Sequence, residues 1–359
     1  MIKAPYLLFI GDATDKLSIK MAQGAVDWSP DQCLGELSVA GCTVTTGLPQ
    51  ISIAQAARMG AKSFVLGFAN SGGVLDAKWH DVIKQALEQG LDIVSGLHEK
   101  LTDIDSLSQL ASNLGRQLID IRHPQQSFKT GTGEKRSGKR LLTVGTDCSV
   151  GKMYTSLALE KEMQAQQLDA DFRATGQCGI LIKGMGVAID CVVSDFISGA
   201  TESLSPDNTS EHWDIIEGQG SLSHPAFAGV SLGLLHGSQP DAIVVCHALN
   251  RSHMRGLPNS QFPSIADTIN LNLQAAKLTN PNVYVAGIAI NTSSVTIDKG
   301  QEICRAISQE FNLACTDPLR DGVASIVNHL HRAPTKAITA NTDSAIANRS
   351  ELAAMVKRA

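Results

Sequence analysis

The ten residues Val144-Gly145-Thr146-Asp147-Cys148-Ser149-Val150-Gly151-Lys152-Met153 constrain this chain more than any others. They follow the short apolar run Leu141-Leu142-Thr143-Val144 and open a helix-forming stretch from Thr155 to Gln167, so the order is strand, glycine loop, helix. In that context two glycines let the backbone curl until successive N–H groups face an anion. The helix N-terminus adds a partial positive charge and Lys152 a full one. The stretch predicts a binding loop for a phosphorylated ligand.

Two departures from the common phosphate loop sharpen that expectation. Gly145 and Gly151 are separated by five residues, where the usual spacing is four, and the position after the lysine, normally a Ser or Thr that holds Mg²⁺, is Met153. Charge neutralisation by Mg²⁺ is central to phosphoryl transfer. A loop without the metal hydroxyl is suited to holding phosphate rather than moving it.

A chain of 359 residues exceeds the usual size of one compact core, so two domains are expected. With 43% hydrophobic and 18% charged residues it is a folded globular protein. A net charge of −5 and no basic stripe speak against nucleic acid as a partner. The eight cysteines contain no CxxC pair, and they and the histidines lack zinc-site spacing; reduced buried thiols and no structural metal are expected. Tyr6–Ile10 is too short for a signal-peptide core, and no apolar run reaches membrane-spanning length, which predicts a cytoplasmic protein with no membrane partner.

Residues 1–123 read as an α/β domain of Rossmann-like, parallel-sheet type. Strands are expected at Tyr6–Ile10, Ser63–Phe68, Leu91–Val94 and Gln117–Ile121, with a weaker one at Leu37–Ala40. Helices are expected at Ile51–Met59 and Asp76–Gln89, where Trp79, Ile83, Ala86 and Leu87 share one face. No loop completes GxGxxG, so a dinucleotide site is not supported. Asn70, Ser71 and His98 lie in loops after strands, where capping and substrate binding are equal readings.

Residues 124–139 are rich in Gly, Ser and Lys and read as a flexible linker. A second α/β domain follows over 140–330, and 331–359 reads as a tail or docking helix. Its strand candidates are Phe172–Thr175, Cys191–Phe196, Asp214–Glu217, Ala242–Cys246 and Val283–Ile290; its helices include Ile265–Leu278 and Lys299–Phe311. Thr175 and Gln177 follow one strand. Glu217 ends another beside Gly218, Gln219 and Gly220, the expected place for a general base or metal ligand. Asp195 closes the 191–196 run, His224 follows the Glu217 loop, and Arg251 and Arg255 have the planar forks that grip carboxylates.

The motif Gly145-Thr146-Asp147-Cys148-Ser149-Val150-Gly151-Lys152 resembles the five-spaced phosphate loop of dethiobiotin synthetase and its relatives, and Glu217-Gly218-Gln219-Gly220 resembles that group's acidic-glycine loop. Ala289-Ile290-Asn291 is similar to the place where such proteins meet adenine with an asparagine. More specific are Ala174-Thr175-Gly176-Gln177, Glu217 through Pro225, Leu234 through Pro240, Ser95-Gly96-Leu97-His98 and Asp120-Ile121-Arg122. Together they resemble a bacterial family long described only as a domain of unknown function.

That family resembles D-glutamate N-acetyltransferases, and the resemblance implies acetyl transfer from acetyl-CoA to the amino group of D-glutamate with no metal. The P-loop residues, 145 to 153, and Asn291 would hold the CoA phosphates and adenine, and Met153 then costs nothing. Glu217 would be the base, with His224 or Asp195 behind it. Backbone N–H groups of Gly176 or Gly218 to Gly220, or the Gln177 or Gln219 amide, would hold the oxyanion. Thr175, Arg251 and Arg255 would hold the substrate. A homodimer is expected. Competing readings are an ATP/Mg-dependent ligase or kinase of the dethiobiotin synthetase type, a non-catalytic nucleotide sensor, and a minor route through an acetylated Cys148 or Cys178.

Overall fold

The computed structural model describes residues 2–69, 73–249 and 251–330. Asn70, Ser71 and the stretch 331–359 lie outside them. The described residues form two compact units, one running to Ser127 and including Gly176–Cys191, the other comprising Phe128–Thr175 and the chain from Val192 to Leu330.

In the first unit, strands β1 (Tyr6–Gly11), β2 (Cys33–Ser38), β3 (Ser63–Leu66), β4 (Asp92–Ser95) and β5 (Leu118–Asp120) form one parallel sheet in the order β2-β1-β3-β4-β5. This is the doubly wound arrangement, in which strands are buried on both faces and read as unbroken apolar runs. Alternate side chains serve opposite faces. Leu7, Phe9, Phe64, Leu66 and Ile93 pack with Trp79, Ile83, Ala86 and Leu87, whereas Leu8, Ile10, Val65 and Val94 pack with Met21, Ala22 and Leu181.

The first of these faces is covered by helices α2 (Ile53–Arg58), α3 (His80–Glu88) and α4 (Asp105–Leu114); α1 (Lys20–Trp28) lies on the second. Ser52 and Gln55 cap α2 reciprocally, and Gly115 ends α4 in the left-handed conformation. The expected helix over 76–89 is present with its predicted buried face, after a single 3-10 turn. The weak strand expected at 37–40 instead occupies 33–38, because Val39 already turns to bond Gly11.

The second unit holds a six-stranded parallel sheet. Its strands are β6 (Lys139–Gly145), β7 (Ala170–Arg173), β8 (Trp213–Ile216), β9 (Ala242–Ala248), β12 (Tyr284–Asn291) and β13 (Cys315–Thr316), in the order β13-β12-β9-β6-β8-β7. A short antiparallel ribbon of β10 (His253–Met254) and β11 (Leu257–Gln261) follows β9. Its helices are α5 (Lys152–Ala165), α7 (Ile197–Leu204), α8 (Ala228–Ser238), α9 (Ile265–Ala276), α10 (Ile297–Phe311) and α11 (Ala324–Leu330), while α6 (Gln177–Lys183) belongs to the first unit, against α1.

The strand expected at Cys191–Phe196 does not form. Two 3-10 turns, Ile189–Cys191 and Ser194–Phe196, replace it. Ser194 and Asp195 offer the backbone local turn bonds, and a short apolar run without a sheet neighbour has no ladder to join. Ahead of β6 the polar stretch carries no regular element, yet it is pinned to the second unit. Thr132 and Gly133 donate backbone N–H bonds to Glu202, and buried Arg136 donates to the carbonyls of Gly237 and Ser238 at the end of α8.

A very tight approach lies between β6 and the turn after β8, where a Cβ on Gly218 would sit 1.7 Å from the carbonyl oxygen of Thr143. Gly218→Ala must therefore push neighbouring strands of a close-packed sheet apart. We expect a loss of about 3 kcal/mol and a fall of about 10 °C in the unfolding midpoint, read by thermal denaturation. A midpoint within about 2 °C of the parent would show that this approach is not a constraint.

Candidate functional site

In open parallel sheets the carboxyl ends of the strands present the loops that bind ligands. In the second unit that edge gathers the loops after β6, β7, β8, β9 and β12, and with them most of the residues singled out by motif.

The loop after β6 folds as its glycines require. A Cβ on Gly145 would stand 2.7 Å from Cγ2 of Val150, so the first glycine lets Val150 fold back over the strand end. Gly151, at φ +101°, starts α5, and Ser149 adopts φ 54°, a left-handed conformation that side-chain-bearing residues reserve for overdetermined sites. Lys152 is buried. Its ammonium donates to the carbonyls of Asp147 and Gly220, each at 2.8 Å, and burial lowers its pKa. Met153 is half-buried; two residues on, the Thr155 hydroxyl is spent on Gly151 O at 3.0 Å.

Beside this loop the β8 turn is tightly organised. Glu217 is buried, and its Oε2 accepts the Thr175 N–H at 2.9 Å, while the Thr175 hydroxyl donates to Glu217 O at 2.6 Å. Gln219 Nε2 donates to the Thr175 hydroxyl at 3.0 Å. The Gly218 N–H, an expected oxyanion donor, is taken by Thr143 Oγ1 at 3.0 Å. Thr143 and Ser156, which share a 3.0 Å hydroxyl bond, and Ser221, which donates to Thr146 O at 3.2 Å, are positioning residues that sequence reasoning missed. Lone hydroxyls carry no motif.

Asp147 is the most enclosed acid of the site, with no exposed surface. Its Oδ2 accepts from the Arg251 guanidinium and from the Arg255 N–H at 2.8 Å, whereas its Oδ1 has no hydrogen-bond partner. Arg251 also donates to Cys148 O at 2.8 Å, and the Arg255 guanidinium donates to Ser149 Oγ. The two arginines expected to hold substrate carboxylates are thus both folded onto the loop. Thr146 bonds His247 Nδ1 at 3.0 Å; burial, aided by the Arg251 charge, pushes the His247 pKa down to about 4.

His224 is buried, with Nε2 3.9 Å from Asp147 Oδ1. Its Nδ1 accepts the Ala226 N–H at 3.1 Å, so in the neutral ring the proton sits on Nε2, which donates to Arg255 O at 3.1 Å. Neither nitrogen has a lone pair free for base catalysis. Asp147, Cys148 and His224 offer donor atoms within 4.8 Å of one another. A metal would need the Nε2 lone pair and would meet the two arginine charges, so this donor set fits a cation poorly. Burial pushes the Cys148 thiol above its ordinary pKa, which disfavours the acetyl-cysteine route.

The remaining expectations scatter. Asn291 is exposed at the end of β12, where its Oδ1 accepts the Ser293 N–H at 3.0 Å. Asp195 is exposed in a 3-10 turn, with no hydrogen bond or ion pair among the described residues. Gln177 begins α6 in the first unit, beside Gly96 of the Ser95-Gly96-Leu97-His98 loop.

A parallel sheet with a glycine-lysine loop at its carboxyl edge, carried with a doubly wound companion, defines a two-unit α/β protein of P-loop type. The chain belongs to the DUF1611 family. Residues 127–327 match a domain of unknown function described as a P-loop domain, and residues 37–124 match one described as Rossmann-like. The chain is similar to a protein of Pseudoalteromonas sp named D-glutamate N-acetyltransferase, 70% identical over 329 residues, which cover 92% of this chain and 99% of the relative. A protein of the same name from Tritonibacter scottomollicae is 46% identical over 330 residues, 92% of this chain and 99% of the relative. A crystal structure of a DUF1611 family protein from Anabaena variabilis has a TM-score of 0.83 at 29% identity, covering 91% of this chain and 99% of that one.

The depressed His247 pKa sets a pH dependence. The native ring is neutral, while the unfolded ring takes a proton near 6.5, so the contribution is complete above that pH and is lost as pH falls toward about 4. The full span corresponds to about 3 kcal/mol. Unfolding midpoints measured between pH 7 and 4 should fall more steeply for the parent than for His247→Gln. Parallel curves would mean that His247 does not titrate with folding.

Proposed function

We propose that this chain is a D-glutamate N-acetyltransferase that holds acetyl-CoA on the loop between β6 and α5. The observation that carries the reading is the 70% identity, across almost the whole of both chains, to the Pseudoalteromonas protein of that name. The site chemistry agrees with it. Acetyl-CoA brings a pyrophosphate, a 3′-phosphate and an adenine, for which the loop N–H groups, Lys152 and Asn291 are the matching partners. Transfer of an acetyl group needs no hydroxyl on Mg²⁺, so Met153 at that position is compatible with the chemistry.

The reaction requires a base that takes a proton from the substrate ammonium, after which the amine attacks the thioester carbonyl and CoA thiolate leaves. Geometry favours Asp147 for this role over the Glu217 expected from the motif. Asp147 Oδ1 is an acceptor without a donor, while the ion pair with Arg251 fixes the carboxylate through its other oxygen. Glu217 instead orders the Thr175 and Gln219 turn, which leaves the second N–H of the Gln219 amide for the oxyanion. His224 positions the Arg255 backbone over Asp147, and Asp195 takes no part in it.

Three measurements test this reading. Free-thiol release from acetyl-CoA, run over D- and L-amino acids with and without EDTA, should occur with D-glutamate and be unchanged by the chelator. ADP formation from ATP and Mg²⁺, in place of thiol release, would overturn it. Lys152→Met should weaken acetyl-CoA binding by about tenfold or more, since one charge-assisted contact is lost. Asp147→Asn should lower kcat by roughly a hundredfold or more with little change in acetyl-CoA affinity; if Glu217→Gln does this and Asp147→Asn does not, the base is Glu217.

A further inference from the structure

Two cysteines outside the phosphate-loop site stand opposite one another, and the local chain path explains why. Helix α10 ends at Phe311, and Asn312, at φ 50°, reverses the chain into β13. Cys304 lies seven residues before the helix end, about 10 Å back along the axis. Cys315 lies four residues beyond it in extended chain, which returns roughly the same distance. The two side chains therefore come level, with Ser308 holding the turn through a 2.7 Å bond to Leu313 O.

Both cysteines are free and line one surface cleft together with Gln301, Arg305, Thr316 and Asp321. Cys304 is buried by the helix, whereas Cys315 is half-exposed. The neighbouring Cys315 lowers the Cys304 pKa, while Cys304 and burial raise that of Cys315. A sulfur favoured as thiolate beside a second thiol, with a cleft reaching both, is the arrangement that thiol–disulfide exchange requires. None of the other six cysteines is placed in this way among the described residues, and acetyl transfer as proposed uses neither of these two.

We infer that Cys304 and Cys315 form a dithiol modification site that low-molecular-weight disulfides convert to an intramolecular disulfide. The Cys304 thiolate attacks one sulfur of the small disulfide, forming a mixed disulfide and expelling one small thiolate. Cys315 then gives up its proton and attacks Cys304 Sγ, which forms the Cys304–Cys315 bond and expels the second thiolate. The two protein sulfurs are oxidised, the small disulfide is reduced to two thiols, and the protein loses two hydrogens. The bond would join α10 to the edge strand beside β12, next to Asp317, whose carboxylate accepts the N–H and hydroxyl of Thr292, the residue after Asn291.

The test is to incubate the full-length protein with glutathione disulfide, block remaining thiols, and map the product by mass spectrometry, with thiols counted after denaturation. The expected result is loss of two of the eight thiols, a mass lower by two hydrogens, and a cross-linked pair of peptides carrying Cys304 and Cys315. Cys304→Ser should slow loss of the Cys315 thiol at least tenfold, and Cys315→Ser should stop at the mixed disulfide on Cys304. Thermal denaturation of each variant checks that it is folded. Retention of all eight thiols, a different cross-linked pair, or equal thiol loss in the double serine variant would overturn the inference. None of these readouts depends on acetyl transfer, so its failure and failure of the proposed activity are separable.

Discussion

A buried ammonium organises the second unit. Taking the Lys152 charge out of water is costly, and the structure offsets that cost with two carbonyl oxygens at 2.8 Å, one from the phosphate loop itself and one from the turn after β8. Two chain segments that are 68 residues apart must converge on one side chain. The convergence explains why the β8 turn is built of glycines. Gly218 runs so close to Thr143 that no side chain fits, and Gly220, at φ +58°, turns its carbonyl toward the lysine. The desolvation that lowers the Lys152 pKa is the same feature that would strengthen its hold on a phosphate.

Around that lysine the polar groups divide into those already satisfied and those left waiting. Glu217, Thr175, Thr143, Ser221 and His224 bond within the scaffold and fix the loops. Asp147 Oδ1 does not, and a buried carboxylate oxygen without a donor is expensive enough to point to a ligand. Preorganised dipoles around one unsatisfied acceptor form an arrangement suited to a reaction in which a proton leaves an ammonium and charge then develops on a carbonyl.

Much of the fold was legible in the sequence. The buried strands of a parallel sheet are continuous apolar runs, so β1, β3, β4, β9 and β12 stand out, and the 3.6-residue spacing of Trp79, Ile83, Ala86 and Leu87 marks α3. The segment at 191–196 misled because a short apolar run reads the same whether or not a neighbouring strand exists to pair with it. The glycine loop was legible for a different reason: its backbone geometry restricts residue type position by position. Individual roles within the site were less so, since Glu217 in a strand-end turn looks equally suited to catalysis and to holding Thr175.

The sequence by itself determined that a phosphate loop of five-residue spacing sits between a strand and a helix, and that it lacks the hydroxyl on which Mg²⁺ chemistry depends. These are consequences of local chemistry, of which residues can curl, donate and carry charge. Only the tertiary structure decided which acid is left with an unpartnered oxygen, that Arg251 and Arg255 close on the loop, that His224 spends both nitrogens on backbone groups, and that Cys304 and Cys315 line one cleft. Such outcomes depend on distances between segments far apart in the chain. Neither composition nor spacing carries that information until the sheet order is set.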